Sequence, residues 1–252
     1  MQTNPNPAGK PSTPDNPDRT NQPNHQNYFD VAIIGAGFGG LATALQLLES
    51  GRDSFVIFER AEAMGGTWRE NTYPGCACDI QSHLYSLSKN QNPNWSRQYP
   101  PQAEILEYLQ ETANRFRLHE KTRFGTEVHR MRFDAAAGVW HLRDRSGGET
   151  TARNVVLAIG ILNRPKMPDI RGLDSFAGEI FHSSRWNHDY DLSGKRVAVI
   201  GTGASAIQFV PHVARAASQM TLFQRSAPWV IPKPNRRYFK LEIGRATRRE
   251  RV

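Results

Sequence analysis

The sequence predicts an α/β fold assembled from two copies of one unit: a strand, a small-residue turn, a helix and a second strand. Three observations predict it. Two apolar, β-branched runs, Tyr28 to Ile34 and Lys195 to Ile200, each stop at a glycine. They are near-continuous rather than alternating, as expected of strands buried on both faces. Each run is followed by a turn, Gly35-Ala36-Gly37-Phe38-Gly39-Gly40 or Gly201-Thr202-Gly203-Ala204-Ser205-Ala206, and each turn opens a helical pattern that leads to another apolar strand.

Composition sets the frame. The chain has 252 residues, 38% of them hydrophobic, enough for one large domain or two smaller ones. No run of about 18 apolar residues is present, so no membrane-spanning helix is expected, and the N-terminus has no apolar core of a secretory signal. Cys76 and Cys78 are too few and too close for a disulfide framework, which points to a reducing cytoplasm. The net charge is +8, but residues 233–252 carry eight basic groups against two acidic ones. The rest of the chain is nearly balanced, so a nucleic-acid-binding face is not expected.

Residues 1–27 hold six Asn and six Pro and almost nothing apolar. Such a segment cannot bury enough surface to offset its ordering entropy and reads as a disordered leader. A domain at 28–163 follows. Its helix, Leu41 to Glu49, has Leu41, Leu45 and Leu48 on one face and stops at Gly51. The strand Ser54 to Phe58 ends at Glu59. Residues 64–100 are irregular and rich in Gly, Pro, Asn, Trp and Tyr, and a loop of that length in a folded domain is usually functional. Pro100-Pro101 opens a helix with Ile105, Leu109, Ala113 and Phe116 on one face. Three short strands are expected next, Phe124–Phe133, Val139–Arg143 and Thr150–Leu157, and the apolar run ends at Ile159 before Gly160. A linker at 164–194 leads to the second unit at 195–234, with a helix from Ile207 to Ala217 and a strand from Met220 to Phe223. Residues 235–252 read as an irregular basic tail.

Both turns suit a dinucleotide. Glycines permit a tight turn and let the backbone approach a pyrophosphate, and the helix N-terminus directs free N–H groups at that anion. Gly35, Gly37 and Gly40 serve the first unit; Gly201, Gly203 and Ala206 serve the second. Glu59 stands nineteen positions after Gly40, and Arg225 nineteen after Ala206. A carboxylate there accepts from ribose hydroxyls and repels a 2′-phosphate; a guanidinium pairs with one. The first site therefore suits FAD or NAD and the second NADP, although Arg225 alone also fits a plain surface residue. A flavin and NADPH are the sensible pair. The predicted architecture is two Rossmann-like dinucleotide-binding domains, an FAD domain with an inserted NADP domain.

Two further segments carry a resemblance. Phe176-Ala-Gly178-Glu-Ile-Phe-His182-Ser-Ser-Arg-Trp186 fits the pattern F-x-G-x-x-x-H-x-x-x-W, with Asn187 where Pro or Asp is usual. Gly65-Gly66-Thr67-Trp68 and Tyr73-Pro74-Gly75-Cys76-Ala77-Cys78-Asp79 fit G-G-x-W … Y-P-G-x-x-x-D. With the two turns, these motifs resemble the flavin-dependent Baeyer–Villiger monooxygenases, a class B flavoprotein group that also includes flavin-containing and N-hydroxylating enzymes. Trp186 is similar to the Baeyer–Villiger version.

The resemblance implies FAD and NADPH as cofactors. It also implies O2 and a small-molecule substrate: a ketone converted to an ester through a C4a-peroxyflavin, or a sulfide or amine oxidised by the same species. By resemblance Gly66, Thr67 and Trp68 line the flavin, and Asp79 lies near its ring and orients an essential arginine. Phe38, Arg60 and Gly160 are expected beside the flavin site. Thr202, Ala204, Ser205 and Gln208 are expected to receive the NADP phosphates. Phe176, Gly178, His182 and Trp186 form the linker that couples domain motion to reaction. From the residues alone, Asp79 also reads as a turn former and His182 as a satisfied structural histidine. A redox role for the cysteines is not expected from a C-x-C spacing, and no metal site is assigned.

The departure is length. Members of the family are about twice as long, and the arginine that steadies the peroxide anion falls beyond the position matching residue 252. The expectation is a chain with the C-terminal part missing, altered after about Pro234, whose apolar faces are exposed. The alternatives are an inactive nucleotide-binding remnant or a flavin-containing or N-hydroxylating monooxygenase. Oligomeric state has no signature in the sequence.

Overall fold

The computed structural model describes residues 27–239. The leader, apart from Asn27, and the basic tail from residue 240 lie outside the described residues.

Two sheets organise the chain. Strand β1 (Tyr28–Ile34) leads through α1 (Phe38–Glu49) to β2 (Phe55–Phe58), which pairs parallel to β1 with Ile34 opposite Phe58. α1 begins at Phe38 rather than Leu41, so the glycine turn itself supplies the first helical residues. The loop after β2 contains one short helix, α2 (Thr67–Glu70), before the long helix α3 (Gln102–Arg115). β3 (Thr122–Arg123), β4 (Val128–Asp134), β5 (Val139–Asp144) and β6 (Glu149–Leu157) complete a six-stranded sheet of order β3-β2-β1-β6-β5-β4. β6 returns parallel to β1, which places the end of β6 beside the first turn.

The strand expected over Phe124–Phe133 is corrected. Gly125 sits at φ +60° and donates to the Ala61 carbonyl, while the Thr126 N–H donates to the Glu59 carbonyl. This turn stitches the segment to the end of β2, separates it from β3 and delays the strand, which runs as β4 from Val128 to Asp134.

The main core lies between the sheet, α1 and α3. Ile33, Leu41, Ile57, Ile105 and Leu109 are fully buried there. The long loop is part of that core: Met64, Trp68, Tyr73, Cys76, Cys78, Leu87 and Trp95 are all buried. Its aromatic residues replace regular backbone pairing with packing, and the Trp95 indole N–H donates to Ser86 Oγ at 3.1 Å.

The second unit consists of β7 (Arg196–Ile200), α4 (Ala204–Ala216) and β8 (Gln219–Phe223), with β7 and β8 parallel. Its strands have the composition of doubly buried strands, yet Ile200, Leu222 and Phe223 are exposed, as are Trp229, Val230 and Ile231. Two strands and one helix cannot cover both faces of this sheet.

Residues 235–238 have no helix or strand of their own but are held to the long loop. Asn235 Oδ1 accepts the Tyr99 N–H at 3.0 Å, and Asn235 Nδ2 donates to the Tyr99 carbonyl at 2.9 Å. Arg237 forms an antiparallel bridge to Arg97, and the Tyr238 hydroxyl lies 3.0 Å from His83 Nδ1. The chain thus returns from the second unit and pairs with the long loop of the first. No helix among the described residues is long and apolar enough to cross a membrane.

Candidate dinucleotide sites

The first turn is built by close approach. Gly35 adopts φ +104° and donates its N–H to the Phe58 carbonyl at 2.8 Å. A Cβ on Gly35 would come 2.5 Å from the Ala158 carbonyl oxygen, and one on Gly40 would come 2.0 Å from the Gly35 oxygen. Only glycine permits α1 to start this close to the ends of β1 and β6. Gly66 closes the other side at φ +52°, where a Cβ would come 2.9 Å from Gly37 Cα. Gly65 N–H donates to the Ala36 carbonyl at 3.0 Å, and Gly160, at φ +68°, faces open space beyond β6.

Glu59 stands at the rim, buried to 6% exposure. Its Oε2 accepts the Ala36 N–H at 2.8 Å and its Oε1 accepts the Ala61 N–H at 3.0 Å. Each oxygen keeps a lone pair for a further donor. The N–H groups of Phe38, Gly39 and Gly40 precede the first intrahelical bond, Leu41 to Gly37, and give the turn its anion-seeking character. The donors, the glycine cradle and the carboxylate fit an adenosine diphosphate with free ribose hydroxyls.

Several sequence-assigned residues take other positions. The Phe38 ring packs edge-on to Tyr85 at 4.6 Å between centroids, so its side chain belongs to the core and only its backbone faces the turn. Arg60 donates to Glu70 at 2.7 Å and to the Asn163 carbonyl at 3.2 Å; the Glu70 carboxylate raises its pKa, and it ties β2 to α2. Glu70, which the sequence reading missed, also pairs with Arg69 and lies 3.6 Å from Arg185 of the linker. Trp68 is buried, its indole N–H donating to the Tyr85 hydroxyl at 3.0 Å, while Thr67 is exposed on the rim. Arg69 Nε is buried without a hydrogen-bond partner among the described residues.

The second turn repeats the first. Gly201 has φ +103° and donates to the Phe223 carbonyl at 2.8 Å, and Gly203 caps α4 as Gly37 caps α1. Here the space is open: nothing lies within 4 Å of a Cβ on Gly201 or Gly203. Thr202, Ala204 and Ser205 are on this turn, and Ala206 is buried under it. Pairing corrects the register of Arg225. Phe58 pairs with Ile34 and Phe223 with Ile200, so Gln224 holds the place of Glu59 and Arg225 the place of Arg60. The offsets are equal in sequence but differ by one in the sheet, because the chain from Ile200 to Phe223 is one residue shorter than from Ile34 to Phe58. Arg225 is exposed at the mouth of the turn.

Gln208 is corrected as well. Its Oε1 accepts from the Tyr73 hydroxyl at 3.0 Å and the Ala77 N–H at 3.3 Å, and its Nε2 donates to the Ala77 carbonyl at 2.8 Å. The amide grips the Tyr73–Asp79 loop instead of facing a phosphate. Gly75, at φ +80°, lets that loop touch α4, since a Cβ would meet His212 Nε2 at 2.7 Å. Burial pushes the Tyr73 phenol up to about 12, and burial raises both thiols, Cys76 and Cys78. Asp79 is exposed on the same loop, and Lys233 donates to the adjacent Cys78 carbonyl at 3.2 Å.

In the linker, His182 Nδ1 accepts the Ser184 N–H at 3.1 Å and caps one 3₁₀ turn, Ser183–Arg185. This is a structural role. Trp186 packs between Phe181 and Phe209, joining linker to α4. The Phe176 ring folds over Gly178, where a Cβ would come 2.4 Å from it.

An α/β chain with two glycine turns, one faced by a buried carboxylate and one with an exposed arginine at its mouth, and with the second helix held to the first unit through Gln208, defines the class of two-dinucleotide flavoproteins. The chain belongs to the flavin-binding monooxygenase-like family, whose model matches residues 29–249. It is 49% identical over 221 residues to a Baeyer-Villiger monooxygenase of Pseudomonas aeruginosa, covering 88% of this chain and 42% of that one. It is similar to oxidised steroid monooxygenase bound to NADP, with TM-score 0.81, 40% identity and coverage of 88% of this chain and 43% of that chain. It is similar also to OTEMO in complex with FAD and NADP, with TM-score 0.81, 34% identity and coverage of 88% and 43%. The chain therefore spans less than half the length of these relatives.

Proposed function

We propose that this chain holds FAD at the first turn and NADPH at the second, and forms the N-terminal portion of a monooxygenase. That enzyme takes a small-molecule substrate and O2, and inserts one oxygen atom into a ketone or oxidises a sulfide or amine. The observation that carries the reading is the contrast between the turns: a buried Glu59 carboxylate on a closed glycine cradle, and an exposed Arg225 at an open one. The relatives that bind FAD and NADP support it. The free, buried cysteines fit a cytoplasmic setting.

When bound, reduced flavin supplies the electrons and the site of oxygen activation. The protein's part is to bind and orient. Glu59 accepts from the ribose hydroxyls, and the first turn of α1 receives the diphosphate. Gly66, Thr67 and Trp68 form the wall toward the ring, and Trp68, held by Tyr85, excludes water there. On the second turn Thr202 and Ser205 face the NADPH diphosphate and Arg225 the 2′-phosphate. Asp79, beside this wall, keeps a carboxylate available to orient a cation.

The test is pure protein under anaerobic conditions. A yellow preparation that NADPH bleaches, and that oxygenates a ketone or sulfide on adding air, is the expected result. Colourless protein unable to take up FAD, or bound flavin that NADPH leaves oxidised, would overturn it in favour of a nucleotide-binding chain without turnover.

A further inference from the structure

We propose that Gln208 is a positioning residue that couples occupancy of the second turn to the flavin wall. The inference rests on the two-dinucleotide reading above. Gln208 lies in the first turns of α4, the helix whose N-terminal N–H groups face the NADP turn. Its carboxamide bonds to the neighbouring loop through both backbone groups of Ala77 and the hydroxyl of Tyr73. Few side chains can pair with both the N–H and the carbonyl of one residue; an amide matches that pattern as a strand neighbour would.

The connection continues past Ala77. Cys76 carbonyl accepts the Gln102 N–H at 2.9 Å, and Pro100 carbonyl accepts the Cys78 N–H at 3.0 Å. Ala77 is bridged to Pro101 at the start of α3. The Gln102 side chain then donates to the Trp68 carbonyl. Hydrogen bonds joined through the Cys76–Ala77 peptide link and through Gln102 thus run from the helix proposed to receive one dinucleotide to the wall proposed to receive the other. Steric fit makes it stiff. Gly75 lies against His212 and the Gln208 carbonyl with no room for a side chain, and Tyr73 packs edge-on to Phe209 at 6.0 Å. A shift of α4 on binding therefore moves residues 73–79, and with them the approach to Trp68 and Asp79. Coupling of this kind is reciprocal, since each dinucleotide must change the other's affinity by the same factor.

The experiment titrates the full chain with FAD, followed by flavin fluorescence, with and without saturating NADP+, in wild type and in Gln208→Met and Gln208→Glu. Met keeps the volume and removes all three bonds; Glu keeps the acceptors but sets a carboxylate oxygen against the Ala77 carbonyl in place of the donor. Hydrogen exchange of residues 72–80 on adding NADP+ is read in parallel. In wild type NADP+ should change the FAD Kd by about fivefold or more, within the usual range of such couplings. It should also slow exchange in the loop. Gln208→Met should bind NADP+ with neither effect, and Gln208→Glu should retain part of both. Circular dichroism confirms that each variant is folded, and Gln208→Glu carries the comparison if Gln208→Met is not. A wild type that binds both dinucleotides without coupling overturns this inference alone, as does full coupling in a folded Gln208→Met. A wild type that binds neither overturns the function it rests on.

Discussion

The Glu59 carboxylate accepts the backbone N–H of Ala36 at 2.8 Å, binding the end of β2 to the middle of the first glycine turn. The side chain proposed to bind a ribose is therefore also a structural pin. Glu59→Ala removes two charge-assisted bonds and leaves the Ala36 and Ala61 N–H groups without their acceptor. Each such bond contributes about 1.5–3 kcal/mol. Urea unfolding should show a loss of about 3–6 kcal/mol, together with failure to retain FAD. Full stability with FAD binding lost would mean that the pin is dispensable.

Glycines that look alike in sequence should respond oppositely to alanine. Gly40→Ala places a methyl 2.0 Å from the Gly35 carbonyl oxygen, a clash with backbone that nothing nearby can relieve. It should give insoluble or strongly destabilised protein. Gly203→Ala meets open space at an ordinary extended φ of −71°. Its melting temperature should stay near wild type while NADP+ affinity drops, because the methyl occupies the approach to the backbone. Thermal melts beside NADP+ titrations separate the two.

Arg225 and Gln224 can be told apart by cofactor choice. Arg225→Ala should weaken NADPH about tenfold or more, the worth of a charge-assisted bond, and leave NADH nearly unchanged. Gln224→Ala, at the ribose-facing place that Glu59 holds in the first unit, should affect both coenzymes alike. Equal losses for NADPH and NADH in Arg225→Ala would remove the 2′-phosphate assignment.

Alkaline pH should weaken the fold in a defined window. The folded state holds protons on Cys76, Cys78 and Tyr73 more tightly than the unfolded chain does. Stability is therefore complete below the ordinary thiol value of 9.0 and falls as pH rises through the raised ones. Tyr73 extends the decline from 10.0 to about 12. Denaturant midpoints across pH 8–12 should fall, and Tyr73→Phe should flatten the upper part of the curve. A midpoint indifferent to pH in that range would contradict the burial of these groups.

Much of the fold was legible because β-branched runs and glycine turns act locally. The runs ending at Ile34 and Ile200, and the turns after them, needed no partner to be read. What escaped depended on contacts distant in sequence. Gln208 sits on a turn that predicts phosphate contact, and only the approach of Gly75 to α4 shows where its amide points. Asn235 and Tyr238 lie in an arginine-rich stretch whose pairing with residues 96–99 has no periodic signature. Counting along the chain sets Arg225 level with Glu59, whereas β-pairing counts from strand ends, and a connection one residue shorter puts Gln224 there instead. Phe38 stood inside a binding motif, yet hydrophobic burial against Tyr85 decided its ring.

The burial of Cys76 and Cys78 has a chemical consequence under the proposed oxygen-handling function. Hydrogen peroxide leaking from an unproductive cycle attacks thiolates, not thiols. With both sulfurs withdrawn from solvent and kept protonated at neutral pH, the Tyr73–Asp79 loop resists conversion to sulfenic acid, so self-inflicted oxidation should begin instead at exposed methionines such as Met167.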